Sequence, residues 1–321
     1  MADDIRFDGR AILVTGAGRG IGAAQAMLLA ARGARVVVAD KGAALDGEGK
    51  DQGPADSVVA AIRAAGGEAV ACAADIATEA GATAAVHACI DAFGRIDGLC
   101  HYASTSPDLT TADALSTPDL DLVMRINPMA GLWLARAAWP HMAAAGYGRI
   151  VLTTSAGIYG SFGNAPYAAA KAAVIGAIRC LAIEGAAHGI LANAVAPAAW
   201  TRMTDRLHES AFTRWFSETM TPDKVAPPVA FLLSDACATS GETFAIGGGR
   251  VARIAFAETG GAFDVATIEQ ARDALPGVLS ADDWLFPRDL TERSGAVTAL
   301  YGLDLRLEAS GGIAVRPIAK E

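Results

Sequence analysis

The sequence has no Cys-x-x-Cys pair, no basic stripe, no apolar run at its start and no unbroken apolar stretch of membrane length. Each absence excludes a class of protein. The cysteines, Cys72, Cys89, Cys100, Cys180 and Cys237, are five in number and widely spaced. An odd, scattered set suits neither a disulfide framework nor a zinc site. Free thiols in a reducing cytoplasm and no metal are the expectation. Acidic residues outnumber basic ones by 35 to 26, a net charge of −9. That argues against nucleic acid as a partner and gives no general attraction to acidic membranes. The opening Met-Ala-Asp-Asp is acidic, so no signal peptide is expected. The most apolar long stretch, 168–187, is interrupted by Lys171, Arg179 and Glu184. It reads as a buried helix and not as a membrane span.

Against these gaps stands a chain of 321 residues that is 52% hydrophobic, enough for a sizeable core. Short apolar runs at 11–14, 36–39, 69–73, 98–101, 150–153, 191–195 and 243–246 have the character of strands buried on both faces. Alanine-rich helical segments alternate with them near 20–32, 54–65, 79–92, 119–145, 166–187 and 223–235. The alternation predicts an α/β fold, a Rossmann-type doubly wound parallel sheet with right-handed crossovers. Residues 41–53 read as a loop. Beyond about residue 250 the pattern changes. One helix is expected over 266–275, and 303–308 and 313–318 flank Ser310-Gly-Gly312 as a hairpin. The expected organisation is one catalytic domain over 1–250, with 251–321 an extension packed on it.

The first strand runs into Thr15-Gly16-Ala17-Gly18-Arg19-Gly20-Ile21-Gly22, where a helix begins. Glycines let the backbone turn tightly and approach a pyrophosphate, and the helix start offers free N–H groups. A lone glycine cluster says little. This one follows a strand, opens a helix and precedes a second strand that ends in Asp40, which completes the dinucleotide unit. A carboxylate there accepts from ribose hydroxyls and repels a 2′-phosphate, which predicts NAD over NADP. Arg19 and Lys41 are the opposing signals. Asp75 and Ile76, past the third strand, are candidates for an adenine contact or for a helix N-cap region.

Tyr167 and Lys171 lie four residues apart on one predicted helix and share a face. A phenol titrates near pH 10. An adjacent ammonium favours the phenolate and is expected to bring it toward working range. Ser155 lies twelve residues before the tyrosine, with Thr154 as the rival hydroxyl. Reducing a ketone builds negative charge on oxygen, which needs a proton donor and a second hydrogen bond. Tyr167 and Ser155 are suited to those parts.

Thr15–Gly22, Asp40, Asn127, Ser155, Tyr167 and Lys171, in that order, resemble the short-chain dehydrogenase/reductase family over residues 8–250. The resemblance implies Tyr167 as general acid/base, Ser155 holding the substrate oxygen, and Lys171 binding the nicotinamide ribose and lowering the tyrosine pKa. It implies Asn127 on a water-linked proton path; followed by Pro128, the same residue also reads as a simple helix interruption. It also implies a cofactor site from Gly16, Arg19, Gly20, Ile21, Gly22, Asp40, Asp75, Ile76, Ala103, Tyr167, Lys171 and Thr201. Ala92-Phe93-Gly94-Arg95-Ile96-Asp97, Ala137-Ala138-Trp139-Pro140-His141-Met142 and Arg202-Met203-Thr204 resemble one branch more closely. That branch is the (3R)-hydroxyacyl-CoA dehydrogenase unit of the peroxisomal-type multifunctional β-oxidation enzyme. The implied substrate is a 3-hydroxyacyl thioester or a steroid-like alcohol. Two positions depart from the pattern. The family's Asn-Asn-Ala-Gly is His101-Tyr102-Ala103-Ser104 here, and a usual glycine is Ala198. The first change is either a tolerated rearrangement with NAD still bound, or a reshaping of the site by His101 or Tyr102.

Residues 198–220 carry Trp200, Met203, Leu207, Phe212, Trp215, Phe216 and Met220. They read as a lid over a lipophilic substrate or as ordinary core packing. Arg202, Arg206 and Arg214 are candidates for phosphates of coenzyme A. The helices over 119–145 and 166–187 present small-residue faces, and in this family such faces make a homodimer or homotetramer. Two functions compete on these residues. One is an NAD-dependent oxidoreductase of lipid-like secondary alcohols. The other is an NAD-binding, dehydrogenase-inactive partner or sensor of the same fold.

Overall fold

Short apolar strands alternate with helices from the first turn of the chain onward. In the computed structural model, residues 4–105, 108–204, 208–307 and 313–318 are described. The elements in order are β1 (Ala11–Thr15), α1 (Gly20–Ala31), β2 (Arg35–Ala39), α2 (Gly53–Ala64) and β3 (Glu68–Cys72). Next come α3 (Glu79–Phe93), β4 (Gly98–His101), α4 (Thr117–Met124), α5 (Ala130–Ala145), β5 (Gly148–Thr153) and α6 (Ala165–Gly185). The series closes with β6 (Ile190–Pro197), α7 (Ala211–Thr219), α8 (Ala226–Leu232), β7 (Thr243–Gly247) and β8 (Arg250–Ile254). The sheet order is β3-β2-β1-β4-β5-β6-β7-β8. All neighbours are parallel except β7 and β8. This is the doubly wound, Rossmann-like arrangement that the strand–helix alternation predicts.

Successive side chains of a strand face opposite sides, so a strand buried on both faces serves two cores. In β1, Ile12 and Val14 belong to one apolar cluster and Leu13 to the other. The first cluster takes residues from α1, α2 and α8; the second takes residues from α3, α5 and α6. Each fully buried side chain such as Leu13 or Leu99 contributes about 1.5–3 kcal/mol. By length and composition, Ala165–His188 is one helix long and apolar enough to cross a membrane. Its Lys171, Val174, Ile178 and Leu181 are buried in this protein core.

The structure departs from the sequence reading in two places. The helix expected over 119–145 is interrupted by a wider turn, Arg125–Met129. Pro128 lacks an N–H and its ring crowds the preceding turn, so the helix opens there. The sheet also has an edge strand, β8, returning through Gly248 and Gly249 at φ 58° and 84°. Two left-handed residues suit a tight hairpin. The charged Arg250 and Arg253 on β8 hid the strand from an apolar-run criterion, and charge is common on an exposed edge.

All five cysteines are free; Cys89, Cys100 and Cys237 are buried and Cys180 is exposed. Desolvation pushes the Cys89 and Cys100 thiols up to about 12.

The chain divides into two compact units, Met1–Ile254 and Ala255–Glu321. The second contains β9 (Glu258–Thr259), α9 (Ile268–Ser280), β10 (Trp284–Leu285), α10 (Leu290–Leu300), β11 (Leu303–Leu307) and β12 (Ile313–Pro317). Strands β9 and β10 pair antiparallel, as do β11 and β12. The expected turn Ser310-Gly-Gly312 lies outside the described residues. Helix α9 starts with Thr267 and Gln270 in a reciprocal cap.

At the end of the sheet away from the nucleotide loop, Asp97 is 2% exposed. It accepts from the Ala11 amide at 2.8 Å, from Arg10 at 3.0 Å and from Arg95 at 2.7 Å. Arg10 also lies 3.7 Å from the Tyr147 ring centroid. One carboxylate thus fastens β1 to the loop before β4. Asp97→Asn leaves two guanidiniums without that counter-charge. Because both are partly exposed, the expected loss is about 2 kcal/mol in denaturant unfolding, and an unchanged midpoint would refute the assignment.

Candidate active site

The nucleotide loop is shaped by close backbone approach. A Cβ on Gly16 would meet the Ala103 nitrogen at 2.5 Å, and one on Gly22 would run into the Gly16 carbonyl. Gly16 and Gly20 have φ of 67° and 54°, a region that disfavours side chains. Helix α1 begins at Gly20, so its free N–H groups face the loop. Among the described residues, Arg19 Nη1 is buried with no hydrogen-bond partner, and the Asp51 carboxylate stands 3.9 Å from Nη2. A glycine cradle, a helix start and an unpartnered guanidinium N–H fit a pyrophosphate.

Asp40 follows β2 and is woven into this loop. Its Oδ2 accepts from the Gly18 amide at 2.9 Å and its Oδ1 from the Gly42 amide at 2.7 Å. Each carboxylate oxygen keeps lone-pair capacity for a ribose hydroxyl. Lys41 donates to Asp75 Oδ2 at 2.9 Å, so that cation is already paired. Asp75 Oδ1 accepts from the Ala77 amide at 3.1 Å, while Thr78 caps α3. Ile76 is buried in the core beside it. Thr201 packs on Gly20, its Cγ2 lying 3.2 Å from where a Cβ would stand. Arg202, considered above for coenzyme A, instead donates to the Ala43 carbonyl at 2.7 Å. Burial and the nearby Arg19 lower its pKa, and Asp40 opposes them. Arg214 pairs with Glu209 at 3.0 Å on the surface. Arg206 and Leu207 lie outside the described residues.

The chemical cluster forms where β5 meets α6. Lys171 is 2% exposed and donates to the Thr153 carbonyl at 3.1 Å and the Thr153 hydroxyl at 3.3 Å. The Thr154 hydroxyl donates back to the Lys171 carbonyl at 2.7 Å, which turns it into the fold. Ser155 is left at the site. Its Oγ accepts from Gly157 N at 3.1 Å. Gly157 gives room: a Cβ there would touch the Tyr167 ring at 3.3 Å and Ser155 Oγ at 3.4 Å. Lys171 Nζ lies 5.6 Å from the Tyr167 ring centroid. Ser155, Tyr167 and Lys171 are therefore brought together. One expectation, a lowered phenol pKa, is reversed. Tyr167 stands above its ordinary value because burial dominates, while the Ser155 and Ser104 hydroxyls pull it back. Lys171 itself is pushed down to about 7 by desolvation, so its own charge is weakened.

Comparison with known proteins decides the family. A family model described as short chain dehydrogenase matches residues 10–211. The chain belongs to the short-chain dehydrogenase family. It is an oxidoreductase acting on CH–OH groups. It is 43% identical to a short-chain type dehydrogenase/reductase of Mycobacterium tuberculosis, over 79% of this chain and 88% of that one. It is 39% identical to peroxisomal multifunctional enzyme type 2 of Mus musculus, over 92% of this chain but 40% of the mouse protein. The full-length peroxisomal multifunctional enzyme type 2 of Drosophila melanogaster superposes with a TM-score of 0.76 at 30% identity. That match covers 92% of this chain and 50% of the fly chain. Among solved relatives one holds NADP and another NADH, so the family cofactor is a nicotinamide dinucleotide of either kind.

For a short-chain dehydrogenase, the 101–104 stretch is built unusually. His101 is 1% exposed. Its Nε2 lies 3.0 Å from the Ile126 carbonyl, which can only accept, so Nε2 carries the proton. Nδ1 then accepts from the Thr15 hydroxyl at 2.7 Å. The imidazole thus ties β1 to the wide turn that carries Asn127. Tyr102 donates to Gln25 Oε1 at 3.1 Å and ties the same stretch to α1. Ser104 donates to Asn127 Oδ1 at 2.8 Å, and Asn127 Nδ2 donates to the Val123 carbonyl at 2.8 Å. Sequence reading picked out Asn127 but missed the partnership with Ser104. The only signal was a serine in place of a glycine.

His101 is neutral over the working range, since burial and the neighbouring Lys171 lower its pKa to about 3. Its folded value lies below the ordinary 6.5, so the unfolded chain binds this proton first. The stabilisation is complete above pH 6.5 and is lost as pH falls toward 3. The expected slope is about 1.4 kcal/mol per pH unit just below the ordinary histidine value. Denaturant titrations at several pH values should show a shallower slope for His101→Gln. Parallel slopes would show that His101 is not the group responsible.

Proposed function

We propose that this chain is an NAD-dependent dehydrogenase/ketoreductase of a lipid-like secondary alcohol, either a 3-hydroxyacyl thioester or a hydroxysteroid-like compound. The observation that carries the reading is the Ser155–Tyr167–Lys171 cluster standing beyond a glycine cradle on the same edge of the sheet. When bound, the dinucleotide accepts or supplies the hydride. Gly16, Arg19, Gly20, Ile21 and Gly22 hold the pyrophosphate, and Asp40 accepts from the adenosine ribose hydroxyls. Asp75 and Ile76 border the adenine, Ala103 lines the cleft, and Thr201 reaches the carboxamide. In oxidation Ser155 holds the alcohol oxygen while Tyr167 takes its proton; in reduction Tyr167 returns it. Lys171 holds the nicotinamide ribose and, once protonated beside an anion, favours the tyrosinate. Asn127 belongs to the path by which the proton reaches solvent.

Support for a lipophilic substrate comes from the 198–220 segment. Trp200 packs edge-on to Phe216 at 6.1 Å, and Phe212 and Trp215 join them at 5.7 and 6.3 Å from Phe216. Phe212 and Trp215 remain exposed, as do Tyr159 and Phe162 after Ser155. Exposed apolar side chains near a cleft suit an apolar ligand. A solved 7α-hydroxysteroid dehydrogenase, 28% identical over 78% of this chain, is complexed with NADH and 7-oxo glycochenodeoxycholic acid, a ligand of this kind. Exposed Leu132 on α5 and Ile183 on α6 support a homodimer or homotetramer built on these helices. Five free thiols suit a reducing cytoplasm.

Tyr167→Phe tests the mechanism. NAD binding by calorimetry should persist, and turnover should fall roughly 10²–10⁴-fold on a panel of 3-hydroxyacyl-CoA esters, hydroxysteroids and small alcohols. Undiminished turnover would sink it. A parent protein that binds NAD yet oxidises nothing on the panel would point to the inactive partner instead. Asp40→Ala tests the cofactor choice. Removing the carboxylate should raise the NADP-to-NAD ratio of kcat/KM by about 10–100-fold, starting from a parent that prefers NAD. A parent that prefers NADP would overturn the assignment.

A further inference from the structure

The loop after β2 is gripped from across the sheet. The Thr105 hydroxyl donates to the Leu45 carbonyl at 2.6 Å, and Arg202 Nη1 donates to the Ala43 carbonyl at 2.7 Å. Thr105 follows β4 and Arg202 follows β6. In the sheet order, β1 and the glycine loop at its end lie between β2 and β4. Neighbouring strands stand about 4.8 Å apart, so β6, four places along, is roughly 19 Å from β2. The two contacts therefore bridge the end of β1, where the glycine cradle stands. Residues 42–51 have the build of a compact surface loop with joined ends. Asp51 N donates to the Lys41 carbonyl at 2.9 Å, and Ala44 N to the Glu48 carbonyl at 2.8 Å. Gly42 lies so close to Asp51 that a Cβ would run into its carbonyl. Farther along, Gly47 rests on Leu122 of α4, whose Cδ2 lies 3.1 Å from where a Cβ would stand. Asp40 ties the root of the loop to the cradle, accepting from both the Gly42 and the Gly18 amides.

We propose that residues 42–51 form a strap across the dinucleotide cleft, with Thr105 and Arg202 as its two catches, and that the strap sets how fast the dinucleotide enters and leaves. The inference rests on the reading of the Gly16–Gly22 cradle as a nicotinamide dinucleotide site. Thr105 and Arg202 are positioning residues, because they act on the cofactor through the loop. Both bind main-chain carbonyls, so they fix the course of the strap whatever side chains it carries. They come from different loops, so the loss of one leaves the other fastened. A net hydrogen bond shifts an equilibrium by roughly 3–10-fold, and a surface loop held by two such bonds opens without unfolding the sheet. A fastened strap slows passage in both directions. Loosening it raises entry and exit together and leaves affinity nearly unchanged. A residue that gripped the cofactor directly would, on removal, raise exit alone.

The test compares the parent with Thr105→Val, Thr105→Ser, Arg202→Met and the double variant of Thr105→Val with Arg202→Met. Stopped-flow fluorescence follows the binding of NADH or NADPH, whichever the parent holds more tightly, and its release into excess oxidised dinucleotide. Each variant that loses one catch should speed both association and release roughly 3–10-fold, and the double variant should exceed either. Kd should stay within about threefold of the parent, and Thr105→Ser, which keeps the hydroxyl, should track the parent. Hydrogen exchange at the 42–51 amides should quicken in the same variants while that of β2 does not. Faster release with unchanged association would overturn the proposal, and so would strap amides that exchange at the parent's rate. A parent that binds neither reduced dinucleotide would overturn the cofactor reading and this inference with it. A parent that binds, with variants that keep its rates, would overturn this inference alone.

Discussion

The site depends on a buried amine. Among the described residues Lys171 has no carboxylate partner; it gives its protons to the carbonyl and hydroxyl of Thr153, at the end of β5. Thr154 answers by donating to the Lys171 carbonyl. These bonds run in both directions between one strand end and one helix. They hold α6 against β5 and help set Ser155 beside Tyr167. An unpaired buried ammonium is costly, and the protein meets the cost partly by weakening the charge. An anion arriving at the neighbouring phenol would restore it.

Much of this was legible in the sequence. Glycines that must touch backbone leave a sharp mark, because no other residue fits where Gly16 meets Ala103 or where Gly22 meets the Gly16 carbonyl. Strands buried on both faces read as plain apolar runs, so the parallel sheet could be counted. The four-residue spacing of Tyr167 and Lys171 gave their shared face. The hidden parts were those where tertiary context decides. Thr154 and Ser155 are chemically alike, and only the bond to Lys171 separates them. An interruption at Asn127-Pro128 was legible, but not its form as a wide turn over Arg125–Met129, since prolines also sit quietly at helix starts. The pKa of Tyr167 could not be read from spacing, because burial outweighs a neighbour on the same helix face.

The departure at 101–104 becomes coherent once its bonds are traced. His101 spans from Thr15 to Ile126, Tyr102 reaches Gln25, and Ser104 holds Asn127. Three side chains within four residues thereby join β1, α1 and the turn before α5 around the opening of the cleft. The short segment 200–202 acts similarly on the other side. Trp200 joins the aromatic group, Thr201 packs on Gly20, and Arg202 reaches the loop after β2. The nucleotide end and the apolar end of the cleft are thus mechanically joined by three adjacent residues.

The distribution of thiols has a practical side. The thiolate is the reactive form, and burial leaves Cys89 and Cys100 almost wholly protonated at neutral pH. Cys180, exposed on α6, faces no such barrier of access. An alkylating dye should therefore mark this helix first, giving the protein a built-in handle for fluorescence.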